Sequence, residues 1–178
     1  IFAIATPAAQ AVKAEIENQG KNTPLIFTAV TDPEAAGLTN CDFITGTNDM
    51  NPVADQVALI KDIKADAKKM GVIYSSNEVN SQVQCDLATA KAASLGMTTS
   101  TQTITSVNDI TNAINALVSD GCDAIYLPTD NVIATAVATV VNITNDAGII
   151  VVCGEEGMIG EGGLISYSIN YKALGVMT

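Results

Sequence analysis

The chain alternates between short runs of β-branched and apolar residues and longer runs with helical character. Strand-like runs begin at residues 71, 97, 122 and 149, and a helical run follows each of the first three. These helical runs end at Gly96, Gly121 and Gly148, and glycine readily closes a helix in the left-handed conformation. Repeated strand–helix units of this length build parallel sheets, so the sequence predicts an α/β fold.

The first part of the chain follows the same pattern. Residues 1–6 and 24–31 predict strands, and the helical run 7–20 between them begins with a proline, which suits a first helical turn. Residues 55–71 predict a further helix, because their apolar residues fall on one helical face. These apolar residues are Val57, Ile60, Ile63 and Ala67.

Two stretches are candidates for crossings between domains. Residues 41–52 are rich in turn-forming residues and separate two strand–helix patterns. Residues 163–171 alternate between apolar and polar residues and predict an extended segment.

Charge and composition exclude several functions. The net charge is −11, and the eight cationic residues are all lysines, so the chain lacks the basic surface that nucleic-acid binding requires. It has no histidine, the commonest general base and metal ligand. The four cysteines have no CxxC spacing and are predicted to be free thiols rather than metal ligands. No phosphate-binding glycine signature is present, and no cofactor or metal is predicted.

Polar residues collect where predicted strands end, which is where ligands bind in open parallel sheets. The polar loops are 6–7, 31–33, 75–81, 129–131 and 154–157. Each of these polar residues is equally suited to capping a helix. Together they suit a small zwitterion, because helix N-termini and hydroxyls bind a carboxylate and an acidic side chain binds an ammonium group.

Five segments of the chain resemble the family of ABC-transporter substrate-binding proteins that includes the aromatic amino-acid (tryptophan-type) binding proteins. They are IFAIATPAAQA, PLIFTAVTDPEAAGL, GVIYSSNEVNSQVQ, DAIYLPTDNVIATA and VVCGEEGMIGEGGLISYSINYKALG. The resemblance implies a type I periplasmic-binding-protein fold, in which two parallel-sheet βα lobes are joined by crossing strands and close on a ligand. Members are normally larger, so it also implies that the first lobe is incomplete in this chain.

The resemblance also implies domains and site residues. Residues 1–49 would form part of the N-terminal lobe, residues 50–166 the C-terminal lobe, and residues 167–178 the crossing back. The implied ligand-binding residues are Thr6, Thr31, Asp32, Asn80, Ser81, Asp130, Asn131, Glu155 and Glu156. Asp130 would bind the ligand ammonium with Asp32 as a second partner, while Asn80, Ser81 and the adjoining helix N-terminus would bind the carboxylate.

The implied function is that of an extracytoplasmic solute-binding component of an ABC importer, periplasmic or lipid-anchored, and not an enzyme. It would bind an amino-acid-like ligand, with aromatic amino acids favoured, in the interlobe cleft and deliver it to ABC permease membrane subunits. Branched-chain amino acids and other small solutes stay open as ligands.

Two alternative functions stay open. One is the ligand-sensing domain of a regulator, which shares this fold. The other is a cofactor-free amino-acid racemase or isomerase that uses Cys153 beside Glu155 and Glu156, although such chemistry usually needs two opposed thiols.

Overall fold

A computed structural model describes all of residues 1–178. The chain forms two compact units. Unit 1 comprises Ile1–Asn51 and Ile169–Thr178, and unit 2 comprises Pro52–Ser168. That these units correspond to the two lobes of a larger binding protein stays a prediction.

Unit 1 contains a parallel sheet of three strands that lie side by side in chain order. Its elements are β1 (Phe2–Ile4), α1 (Thr6–Asn18), β2 (Leu25–Val30), β3 (Ile44–Asn48) and α8 (Tyr171–Met177). Strand β3 lies in the stretch that the sequence indicated as a turn-rich crossing. It forms because Ile44 pairs with Leu25 of β2, and because glycine at position 46 leaves room for the backbone and ring of Phe27.

Unit 2 contains five parallel strands in the order β5-β4-β6-β7-β8. The strands are β4 (Lys69–Ser75), β5 (Thr98–Ile104), β6 (Ala124–Leu127), β7 (Ile150–Cys153) and β8 (Ile165–Ser166). The helices are α2 (Val53–Ile63), α3 (Val79–Ser94), α4 (Ile110–Ser119), α5 (Asn131–Ala134), α6 (Val137–Asp146) and α7 (Gly157–Gly160). The predicted α/β fold with parallel sheets is confirmed.

The core of unit 2 packs the central strands against α4 and α6. Strand β6 is buried along its whole length, as expected for a central parallel strand covered on both faces. Helix α4 contributes Ile110, Ile114 and Leu117, which recur at helical spacing and are fully buried. This packing fixes the ends of β4, β6 and β7, where the polar loops begin.

Two predicted helices differ from the observed ones. The run 55–71 ends as a helix at Ile63, and Lys69 already belongs to β4. The carboxylate of Asp123 accepts hydrogen bonds from the backbone N–H groups of Lys68 and Lys69, so pairing with β6 overrides the helical pattern. The predicted helical run that ends at Gly148 is divided into α5 and α6. No helix in the structure combines the length and the apolar character needed to cross a membrane.

Candidate functional site

The predicted site residues lie near the carboxyl ends of strands in both units. Unit 1 contains Thr6, Thr31 and Asp32, and unit 2 contains Asn80, Ser81, Asp130, Asn131, Glu155 and Glu156.

In unit 1 the three predicted residues follow β1 and β2. Thr6 and Thr31 are buried, and Oδ1 of Asp32 accepts hydrogen bonds from the backbone N–H groups of Glu34 (3.0 Å) and Ala35 (2.9 Å). Ala5, directly before Thr6, has φ of 73°, a conformation that strains a non-glycine residue by about 1–3 kcal/mol. The fold thus fixes an unfavourable backbone conformation beside Thr6, as is common at functional sites.

Unit 1 also buries an acidic group that the sequence did not single out. Asp49 follows β3, and its Oδ2 accepts a hydrogen bond from the Tyr171 hydroxyl (3.0 Å), while its buried Oδ1 has no hydrogen-bond partner. Burial raises the pKa of the Asp49 carboxyl above its ordinary value, against the opposing effects of the Tyr171 and Thr31 hydroxyl groups. Asn51 Oδ1 accepts a hydrogen bond from the Ile169 N–H (2.9 Å), so two distant chain segments meet here.

In unit 2, Asp130 joins the ends of two strands. It is 1% exposed, and its Oδ1 caps α5 by accepting from the N–H groups of Val132 and Ile133, both at 2.9 Å. Its Oδ2 accepts from the N–H of Ser75 at the end of β4 (2.7 Å). Asp130 therefore has the capping role, and its ammonium-binding role stays a prediction.

Glu78 is a second buried carboxylate at this edge, and it was not among the predicted residues. It is 5% exposed. Its Oε2 accepts hydrogen bonds from Asn80 Nδ2 (3.1 Å), Asn131 N (3.1 Å) and Asn131 Nδ2 (2.8 Å). Glu78 thus brings together two predicted residues that are far apart in the sequence.

Helix α3 holds the loop that follows β6 through the backbone of Thr129. Gln84 accepts from the Thr129 N–H (3.0 Å) and donates to its carbonyl (3.2 Å). Asn80 Nδ2 donates to the same carbonyl at 3.0 Å, and the Ser81 hydroxyl lies 3.5 Å from it. Because Asn80 and Gln84 are four residues apart on one helical face, the loop position is fixed by a rigid element.

The loop after β7 is positioned by close backbone packing rather than by its acidic residues. A Cβ at Gly154 would lie 2.6 Å from Thr129 N, so glycine is needed for this loop to approach the one after β6. The Gly154 carbonyl accepts a hydrogen bond from the fully buried Gln56 (2.9 Å). Glu155 Oε2 accepts from the N–H of Gly157 within its own loop (2.6 Å), and Glu156 is exposed.

The structure gives no support for nucleophilic chemistry by Cys153. Its side chain is fully buried at the end of β7, and burial, with a smaller effect of the Glu155 charge, raises the pKa of the thiol to about 12. The thiolate is the nucleophilic form, so burial disfavours the reactive form of this cysteine. All four cysteines are free thiols, and no group of acidic and cysteine side chains is arranged to hold a metal ion.

The polar residues that the sequence analysis did not predict differ in how clearly the local sequence indicated them. Glu78 lies inside the polar loop 75–81, and Gln84 follows Asn80 at helical spacing, so both had a local signal. Asp49 and Tyr171 are separated by most of the chain, and nothing local predicts their contact.

Comparison with known proteins gives a family match over the whole chain. The model of the family described as ABC transporter substrate binding protein matches residues 1–178. A tyrosine-binding protein from Clostridioides difficile is 36% identical over 180 residues, which cover 98% of this chain and 51% of that protein.

Two solved structures are similar to the structure of this chain. The ABC domain from Streptococcus pneumoniae in complex with L-Trp has a TM-score of 0.90 at 36% identity and covers 98% of this chain and 59% of that one. The ligand-free, open structure of a substrate-binding protein with adhesive properties from Clostridium difficile has a TM-score of 0.68 at 37% identity, with coverage of 98% and 59%. The chain thus spans between half and two thirds of the length of these relatives, and it shares the type I periplasmic-binding-protein fold.

Proposed function

Because this chain belongs to the family of ABC transporter substrate-binding proteins, we propose that it is the solute-binding component of an ABC importer and binds an amino acid. The homologues named above are substrate-binding proteins, which are not enzymes. We extend this non-catalytic role to the present protein.

The observation that carries the proposal is the polar cluster at the carboxyl edge of the unit 2 sheet. It combines buried amide, hydroxyl and carboxylate side chains in fixed positions, as a preformed binding site requires.

The relatives point to an aromatic amino acid as the ligand. One is a tyrosine-binding protein, and one solved structure contains L-Trp, each at 36% identity. The hydrogen-bonding groups at the unit 2 edge suit the polar part that all amino acids share, so branched-chain amino acids belong in the same test.

Substrate-binding proteins of ABC transporters normally act outside the cytoplasm. We place this protein at the periplasmic or outer cell surface, held there by a lipid anchor where no periplasm exists. Its macromolecular partners would be the membrane-embedded permease subunits, to which it delivers the ligand.

A thermal-shift screen of the purified protein against the twenty amino acids and several sugars tests the proposal. A ligand present at about 100 times its dissociation constant adds about 2.7 kcal/mol of stability, which corresponds to several degrees in Tm. We expect a shift with L-Trp, L-Tyr or both, and none with sugars. Absence of any shift with every amino acid would overturn the proposed ligand class.

A further inference from the structure

We propose that Glu78 and Asn80 bind the ammonium group of the ligand, so that the site selects molecules with a free amine. This inference rests on the proposed function and assigns the charge-recognising role to Glu78 rather than to Asp130. Three features of the unit 2 edge support it.

The first feature is that the buried carboxylate of Glu78 has no cationic partner. The ion pairs of the protein are Lys13–Glu17, Lys64–Asp123 and Lys69–Asp120, and none includes Glu78. Burying a carboxylate without a counter-charge is costly. A cationic ligand would supply the missing charge.

The second feature is the asymmetric use of the two Glu78 oxygens. The three hydrogen bonds that Asn80 and Asn131 donate to Glu78 all reach Oε2, which fixes the orientation of the carboxylate. Oε1 is left without a donor, and a carboxylate oxygen can only accept hydrogen bonds. It is therefore available to a ligand N–H group.

The third feature is an unpartnered acceptor on Asn80, whose side chain is 3% exposed. Its Nδ2 donates to Glu78 Oε2 and to the Thr129 carbonyl, and because both partners are acceptors, the amide orientation is settled. The buried Oδ1 then has no hydrogen-bond partner, although buried polar atoms normally have one. Two neighbouring residues thus each offer a free acceptor, which matches the several donors of an ammonium group.

Asp130 differs from Glu78 in this respect. Its carboxylate accepts three backbone hydrogen bonds that use both oxygens. We therefore assign Asp130 to holding the loop and Glu78 to recognising the charge.

Isothermal titration calorimetry with two matched ligands tests the inference. L-Trp and its deaminated analogue, indole-3-propionate, differ only in the ammonium group, and both are titrated into the parent protein and the E78Q variant. We expect E78Q to weaken L-Trp binding about 30-fold or more, as for removal of one partner of a buried charge pair. Binding of indole-3-propionate should be unchanged or stronger. Glu161→Gln, which removes an exposed carboxylate of the same unit, is the matched control and should leave both affinities unchanged.

The outcomes separate the inference from the proposed function. If the parent protein binds no amino acid, the proposed function fails. If it binds L-Trp and E78Q binds L-Trp within threefold of the parent, the proposed function stands and the inference is overturned. If E78Q does not fold by circular dichroism, Asn80→Ala decides. We expect Asn80→Ala to weaken L-Trp about tenfold more than indole-3-propionate, and equal effects on both ligands would overturn the inference.

Discussion

Unit 1 and unit 2 place polar residues at the same edge of a parallel sheet but support them differently. In unit 2 the central strands are covered on both faces and β6 is fully buried, and Asp130 is held by three backbone donors. In unit 1 the sheet has three strands, and Phe2, Ile4 and Ile26 are exposed. Asp32 is held there by two donors and stays partly exposed.

This difference shows that the rigidity of a loop residue depends on the sheet beneath it. A close-packed core resists displacement and transmits the position of each strand to the loop that follows it. The position of a loop that follows a partly exposed sheet depends instead on hydrogen bonds within the turn of that loop. Equivalent substitutions in the two units should therefore have unequal effects.

The largest expected difference concerns isoleucines on the two sheets. Ile125 in β6 is fully buried and Ile4 in β1 is 62% exposed. We expect Ile125→Ala to lower the free energy of unfolding by about 3 kcal/mol through lost burial and a residual cavity, whereas Ile4→Ala should change it by less than about 0.5 kcal/mol. Urea denaturation followed by circular dichroism measures both. Equal costs would show that the exposed face of unit 1 is covered in solution.

The next difference concerns the two aspartates that close turns. Asp130→Ala leaves three backbone N–H groups without a partner in a buried position, so we expect a loss of about 2–3 kcal/mol. Asp32→Ala leaves two backbone N–H groups without their acceptor at a partly solvated turn, where water can replace the carboxylate. We expect this substitution to lower the free energy of unfolding by about 1 kcal/mol. Hydrogen-exchange mass spectrometry, which localises the loss to a unit, distinguishes them. A larger loss in unit 1 would contradict the comparison.

The sequence predicted unit 2 better than unit 1 for a physical reason. In unit 2 the central strands β6 and β7 are continuous apolar runs, and helices such as α3 close at a left-handed glycine such as Gly96, so local signals agree with the fold. In unit 1, β3 reads Ile-Thr-Gly-Thr-Asn, a pattern typical of a turn. It becomes a strand only because β2 offers a pairing edge, which no local rule contains.

The sequence predicted which segments hold the candidate site residues, but not the contacts that these residues make. Parallel-sheet topology indicated the segments that follow β4, β6 and β7. Asn80 lies in the first turn of α3 after β4, and Asp130 and Asn131 lie at the start of α5 after β6. Which carboxylate caps a helix and which stays available depends on contacts such as Asn131 with Glu78, which are 53 residues apart. Such pairings require the three-dimensional structure.

The smallest expected effects concern two aspartates whose pKa values shift in opposite directions. Asp123 in unit 2 accepts from the N–H groups of Lys68 and Lys69 and pairs with Lys64. These interactions, led by the backbone hydrogen bond from Lys68, lower its pKa to about 2. Burial raises the pKa of Asp49 in unit 1 above its ordinary value.

The two shifts give opposite pH dependences. A lowered folded-state pKa contributes stability that is present above the ordinary value of 3.8 and is lost as pH falls towards 2. Asp123→Asn should therefore cost roughly 1 kcal/mol at pH 7, since the group is partly solvated, and progressively less below pH 4. A raised folded-state pKa favours the folded state below 3.8, and this contribution is lost as pH rises through the raised value. Asp49→Asn keeps an acceptor for Tyr171 and should gain stability relative to the parent as pH rises from 3 to 7.

Urea denaturation of the parent and both variants at pH 3, 5 and 7 measures both slopes. The difference between Asp49→Asn and the parent should have the opposite pH slope to that between Asp123→Asn and the parent. Slopes of the same sign would mean that Asp49 is as well compensated as Asp123. The contrast between the two units would then be restricted to the apolar faces of their sheets.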